Sequence, residues 1–106
     1  MRPDNKTRKQ LRAIGHHLKP VVIVGNGLTE AVLAEINRAL DDHELIKVRV
    51  RAGDREEKQA LIADLCAQTG AENIQVAGHI VLLLRHATRP KPELSNLERH
   101  KALLLP

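Results

Sequence analysis

No phenylalanine, tyrosine or tryptophan occurs anywhere in this chain of 106 residues, and no other single feature constrains its fold as much. An aromatic side chain buries on the order of 150–250 Å². Without any, the core must be assembled from Leu, Ile, Val and Ala alone. A chain of this length fits one domain, and such a domain hides roughly two-thirds of its unfolded surface, enough for one core. The same absence limits function. Stacking of bases on aromatic rings, the usual platform for single-stranded nucleic acid, is excluded.

The aliphatic residues follow two periods. Residues 5–18 read as an amphipathic helix, with Leu11, Ile14 and Leu18 on one face and Arg8, Lys9 and Arg12 elsewhere; Gly15 lies near its end and Pro20 blocks its continuation. Val21 to Val24 is a continuous β-branched run that reads as a buried strand, broken by Gly25-Asn26-Gly27. Thr29 is the expected N-cap of a helix over residues 30–41, with an apolar stripe of Val32, Leu33, Ile36 and Leu40. Leu45 to Arg51 alternates, placing Ile46, Val48 and Val50 on one face and a basic row of Lys47, Arg49 and Arg51 on the other. Asp54 caps a third helix that buries Leu61, Ile62, Leu65 and Cys66 and stops at Gly70. Asn73–Ala77 and Ile80–Arg85 form a hairpin around Gly78-His79.

The order α-β-α-β-α-β-β implies an α/β fold: a right-handed parallel crossover joins the first two strands, and the hairpin completes a four-stranded mixed sheet with helices packed against it. The domain is expected at residues 1–87, followed by a linker and C-terminal tail over residues 88–106. Thr88 to Pro92 reads as extended, and the leucine-ending tail from Glu93 is either a short docking helix or a disordered end.

Catalysis finds no support. The adjacent rings of His16 and His17 diverge by about 100° on a helix and would not share a metal. His43, His79, His86 and His100 lack ligand spacing, Cys66 sits in an apolar stripe, and Ser95, the single serine, lies in the tail. No catalytic residue, metal or cofactor is therefore expected, and the chain is not expected to be an enzyme. With one cysteine no internal disulfide can form, which suits a reducing, cytoplasmic compartment. The N-terminus lacks an apolar signal core, and runs such as Ile80–Leu84 are too short to span a membrane.

The net charge of +4 is modest, but its distribution is uneven. Arg2, Lys6, Arg8, Lys9 and Arg12 face only Asp4 in the first twelve residues, and Arg85, Arg89, Lys91, Arg99 and Lys101 dominate residues 85–101. Glu30, Glu35, Asp41, Asp42 and Glu44 crowd the segment between. One basic and one acidic face are expected. A glycine loop before a helix lets a phosphate backbone approach closely and offers it amides at the positive end of the helix dipole. On spacing alone, a tight strand-to-helix turn that needs positive φ explains Gly25-Asn26-Gly27 better than a phosphate contact does. The loop lacks the Gly-Lys-Ser/Thr ending of a triphosphate loop and the third glycine of a dinucleotide fingerprint.

The run from Leu18 to Glu30, LKPVVIVGNGLTE, followed by His43 to Val48, HELIKV, resembles the YhbY family of bacterial stand-alone CRM (chloroplast RNA splicing and ribosome maturation) domains. Asp54-Arg55-Glu56, Thr69-Gly70-Ala71 and Val76-Ala77-Gly78 extend the resemblance over about residues 5–86. It implies a fold similar to the C-terminal domain of a bacterial translation initiation factor, RNA binding, and association with the precursor of the large ribosomal subunit. It also implies an RNA contact by a GxxG loop, as in KH domains. Here Gly25 and Gly27 are separated by Asn26 alone. Gly27 matches the second family glycine, and the first is either Gly25 in a shorter loop or is replaced by Val24. The expected RNA-binding residues are Gly25, Asn26 and Gly27, with Arg8, Lys9 and Arg12, Lys19 flanking the loop, and Lys47, Arg49 and Arg51. The alternative is a module that docks on a ribosomal protein through the acidic helix or the C-terminal leucines.

Overall fold

The computed structural model describes residues 3–104; Arg2 of the basic N-terminal run and Leu105 and Pro106 of the tail lie outside them. Helix α1 (Asn5–Gly15) starts where Asp4 accepts a hydrogen bond from the Thr7 amide at 2.8 Å. This satisfies one of the amides that a helix start leaves without a partner. The helix stops at Gly15 rather than Leu18 because the next residues form tight turns, the His17 amide donating to the Ile14 carbonyl and the Leu18 amide to the Gly15 carbonyl. A Cβ on Gly15 would lie 3.0 Å from Leu82 Cδ2, so this glycine lets α1 sit close against the sheet.

Helix α2 (Glu30–His43) is capped by Thr29 as expected, its hydroxyl accepting from the Val32 amide at 3.1 Å. It runs past the expected end at Asp41 and terminates at Glu44, which has φ +61°. In α3 (Arg55–Thr69), Asp54 accepts from the Glu57 amide while the Glu57 carboxylate accepts from the Gly53 amide, a reciprocal cap. Gly70 ends α3 at φ +75°.

The strands are β1 (Pro20–Val24), β2 (Leu45–Val50), β3 (Glu72–Ala77) and β4 (Ile80–Leu84), ordered β1-β2-β4-β3. β1 runs parallel to β2, and β4 lies antiparallel to both β2 and β3. This is the α-β-α-β-α-β-β arrangement with a four-stranded mixed sheet read from the sequence. One strand departs from expectation. β1 is not buried on both faces: Val22 and Val24 are inside, but Val21 and Ile23 are 51% and 55% exposed. It is an edge strand, and its outer-face residues stay open to solvent. Pro20 at its start is in keeping with an edge, where a missing amide costs no ladder bond.

Two apolar clusters hold the layers together. On the inner face, Val22, Val24, Ile46, Val48, Val50, Val81 and Leu83 meet Ile36 and Leu40 of α2 and Ile62 and Leu65 of α3. On the outer face, Leu11 and Ile14 of α1 meet Leu45, Ile74, Leu82 and Leu84. Burying one such side chain is worth about 1.5–3 kcal/mol, whereas an exposed ion pair gives about 0–1 kcal/mol. The apolar stripe therefore positions α1, and the cations on its other sides are not needed for docking. Arg8 is an exception, since its guanidinium donates to the Asn73 and Ile74 carbonyls at 2.8 and 3.3 Å.

Beyond β4 the chain folds back over the end of α2. Ser95 Oγ donates to Glu44 Oε1 and Asn96 Nδ2 to the Leu45 carbonyl, both at 2.7 Å and both buried. Glu44 Oε2 also accepts from the Ala87 amide. A short helix α4 (Asn96–Arg99) and a 3₁₀ turn (Lys101–Leu104) follow, and Leu97 and Leu104 pack on the outer cluster. Of the two alternatives left open for the tail, it is the docked helix that forms. The return path also reduces the expected separation of charge at one place. Arg85 pairs with Asp41 at 2.8 Å and Lys91 with Asp42, so these two cations of the C-terminal segment neutralise the acidic end of α2. Among the described residues, no helix is long and apolar enough to cross a membrane.

Candidate nucleic-acid interface

α1 and the tail cover only one end of the sheet's outer face. At the other end, Ile23, Arg49, Ile80 and Ala77 form a row across all four strands. Ile23 and Ala77 are exposed, and Arg49 and Ile80 are half-buried. Lys47 stands in the next row beside Leu82 and Gln75. It shares a cleft with Arg12, Gly15 and His16 from the end of α1. Lys9, Arg12 and His16 follow one another at helical spacing, and Lys9 and His16 are exposed. α1 thus covers only the start of β2: Leu45 is buried under it, while Lys47 and Arg49 retain solvent access.

The Gly25-Asn26-Gly27 loop caps this open end. The Arg51 amide donates to the Val24 carbonyl at 2.9 Å, which ties the exposed Arg51 to the base of the loop. The two glycines are not equivalent. Gly27 has φ +82°, a conformation side chains rarely adopt, so the turn itself requires it. Gly25 has no positive φ, and a Cβ there would meet nothing within 4 Å. The fold does not require glycine at position 25. The start of α2 is also less open to an anion than its glycines imply. Thr29 already occupies the Val32 amide, and Glu30 puts a carboxylate in the first turn, where it competes for the helix dipole. Close approach, rather than the dipole, is what this loop offers.

The remaining expected residues divide. Lys19 is exposed but does not flank the loop; β1 separates them by roughly 17 Å, five residues at strand rise. Arg8 is held by backbone carbonyls. Among the described residues, Arg12, Lys19, Lys47, Arg49 and Arg51 enter no ion pair. No carboxylate occurs in α1, β1 or β2, whereas α2 and α3 carry Glu30, Glu35, Glu56, Glu57 and Asp64 on the opposite side of the sheet. The exposed apolar pair Val21 and Ile23 was missed in the sequence; Pro20, as an edge-strand marker, was the available signal.

A wider groove lies between α3 and β3, lined by Arg55, Lys58, Ile62, Cys66 and Val76. It contains none of the expected RNA-binding residues. Burial, and secondarily the Glu72 charge, push the Cys66 thiol up from its ordinary value. A thiol kept protonated near neutral pH is a poor nucleophile.

Residues 4–85 match the CRS1/YhbY (CRM) domain. The chain is 50% identical over 93 residues to a probable RNA-binding protein of Pseudomonas aeruginosa, a match covering 87% of this chain and 89% of the relative. It is 49% identical over 92 residues to an RNA-binding protein of Haemophilus influenzae, covering 86% and 93% respectively. The solution structure of a hypothetical Staphylococcus aureus protein is similar at a TM-score of 0.73 and 28% identity, covering 85% of this chain and 95% of that one.

Proposed function

Because the chain belongs to the CRS1/YhbY (CRM) domain family, we propose that it is a non-enzymatic protein that binds structured RNA by its sugar-phosphate backbone and associates with the precursor of the large ribosomal subunit. One observation carries this reading. Arg12, Lys47, Arg49 and Arg51, all without ion pairs among the described residues, share the open end of the outer sheet face with Gly25, a glycine that the fold does not need. Phosphates would lie along the cations, and the absent side chain at Gly25 would let the ribose-phosphate chain approach the loop backbone. Asn26, exposed at the loop tip, would supply a polar contact, and Lys9 would extend the track along α1. The descriptions of the Pseudomonas and Haemophilus relatives agree with such a role.

Docking on a ribosomal protein gains less support, because Asp41 and Asp42 are paired within the chain and Leu97 and Leu104 pack on its core. In-cell crosslinking of the chain to RNA tests the proposal. Enrichment of large-subunit precursor RNA is expected. Crosslinks spread over transcripts by abundance would refute the assembly role. Crosslinking no stronger than that of a Lys47→Gln/Arg49→Gln variant would refute this RNA site.

A further inference from the structure

We infer that the docked C-terminal tail is part of the RNA-binding face, with Arg99 as its phosphate contact. The inference rests on the RNA-binding proposal and extends it beyond residues 4–85, the span of the family match.

A second cleft opens between the tail and the starts of β1 and β2. It is lined by Lys19, Lys47 and Arg99 together with His17, His43 and Val21. Among the described residues, no carboxylate lines it. Lys19 and Arg99 are exposed, and among the described residues none of the three cations enters an ion pair. Like charges gathered without a counter-charge repel one another, and a bound polyanion relieves that repulsion. Lys47 lines this cleft and also the one containing Arg12. The two clefts therefore meet at Lys47, which stands between Arg12 on one side and Lys19 and Arg99 on the other. This gives Lys19, which stands apart from the loop, a place in the interface.

The tail is built to hold Arg99 there. Ser95 Oγ donates to the buried Glu44 carboxylate and accepts from the Glu98 amide, capping the single turn that carries Arg99. The buried Asn96 bond to the Leu45 carbonyl fixes that turn to the start of β2. The His100 ring stacks on His17 with centroids 5.5 Å apart and planes 9° from parallel, which joins the end of α4 to the α1–β1 turn. A side chain positioned in this way loses less conformational freedom on meeting a phosphate than one on a loose tail. An extended phosphodiester backbone fits a track of spaced cations crossing several elements. An acidic peptide is the competing ligand.

The test measures binding of a labelled stem-loop RNA, and separately of polyglutamate, to the full chain and to Arg99→Gln across a salt series. Arg99→Gln is expected to keep its melting temperature, to weaken RNA binding by roughly tenfold, and to flatten the slope of log affinity against log salt by about 0.7–0.9, one phosphate contact. Arg99→Glu should weaken it further. RNA affinity and slope unchanged in both variants would overturn the inference while leaving the RNA-binding proposal intact. So would a loss seen with polyglutamate alone. An unaltered chain that binds no RNA at all would overturn both.

Discussion

Gly25 and Gly27 lie two residues apart and answer different physical demands. Gly27 supplies φ +82°, which costs an L-residue roughly 1–2 kcal/mol. Gly27→Ala should therefore destabilise the domain by about 1 kcal/mol in urea unfolding. Gly25 faces open space, so Gly25→Leu should keep stability within about 0.5 kcal/mol. It should nevertheless weaken RNA binding roughly tenfold, a loss of about 1.4 kcal/mol. Equal RNA affinity in a folded Gly25→Leu protein would reduce the loop to a turn. The sequence shows both glycines but not their φ values, and for that reason a bare Gly-x-Gly did not separate the turn from the contact. Arg8 makes the same point. Its partners lie 65 and 66 residues away, and nothing in the local pattern distinguishes it from Lys9 or Arg12.

The elements with local causes were legible. Thr29, Asp54 and Gly70 begin and end their helices through bonds to residues within four positions, and the alternation of Leu45 to Arg51 fixes the faces of β2. What depends on distant partners was not legible, namely the exposure of β1, which follows from its edge position, and the docking of the tail, which follows from Glu44. That carboxylate is 2% exposed and accepts from Ser95 and Ala87. Ser95→Ala leaves one buried oxygen without its donor and should cost about 1–3 kcal/mol in chemical unfolding. Acid should loosen the same region. A hydrogen bond from Lys91 holds the Asp42 carboxyl below its ordinary value of 3.8, and a bond from the Thr7 amide does the same for Asp4. A carboxyl lowered in the folded state stabilises it above the ordinary value and loses that contribution as pH falls through the lowered one. Amide chemical shifts around Lys91 and Thr7 should accordingly move below about pH 4, and Asp42→Asn should abolish the change near Lys91 alone.

Across the whole molecule, the sheet separates two electrostatic environments. The carboxylates of α2 and α3 lie on one side, and Arg12, Lys47, Arg49 and Arg99, which enter no ion pair among the described residues, lie on the other, with Val21 and Ile23 exposed among them. Composition alone concealed this polarity, because a net charge of +4 sums over both sides. The most direct test of the account is RNA affinity as a function of salt for the unaltered chain and for Lys47→Gln/Arg49→Gln. Affinity is expected to fall steeply with salt, through release of counterions from neutralised phosphates, with a slope shallower by about 1.4–1.8 in the double variant. Affinity independent of salt, or an identical slope in the two proteins, would contradict it.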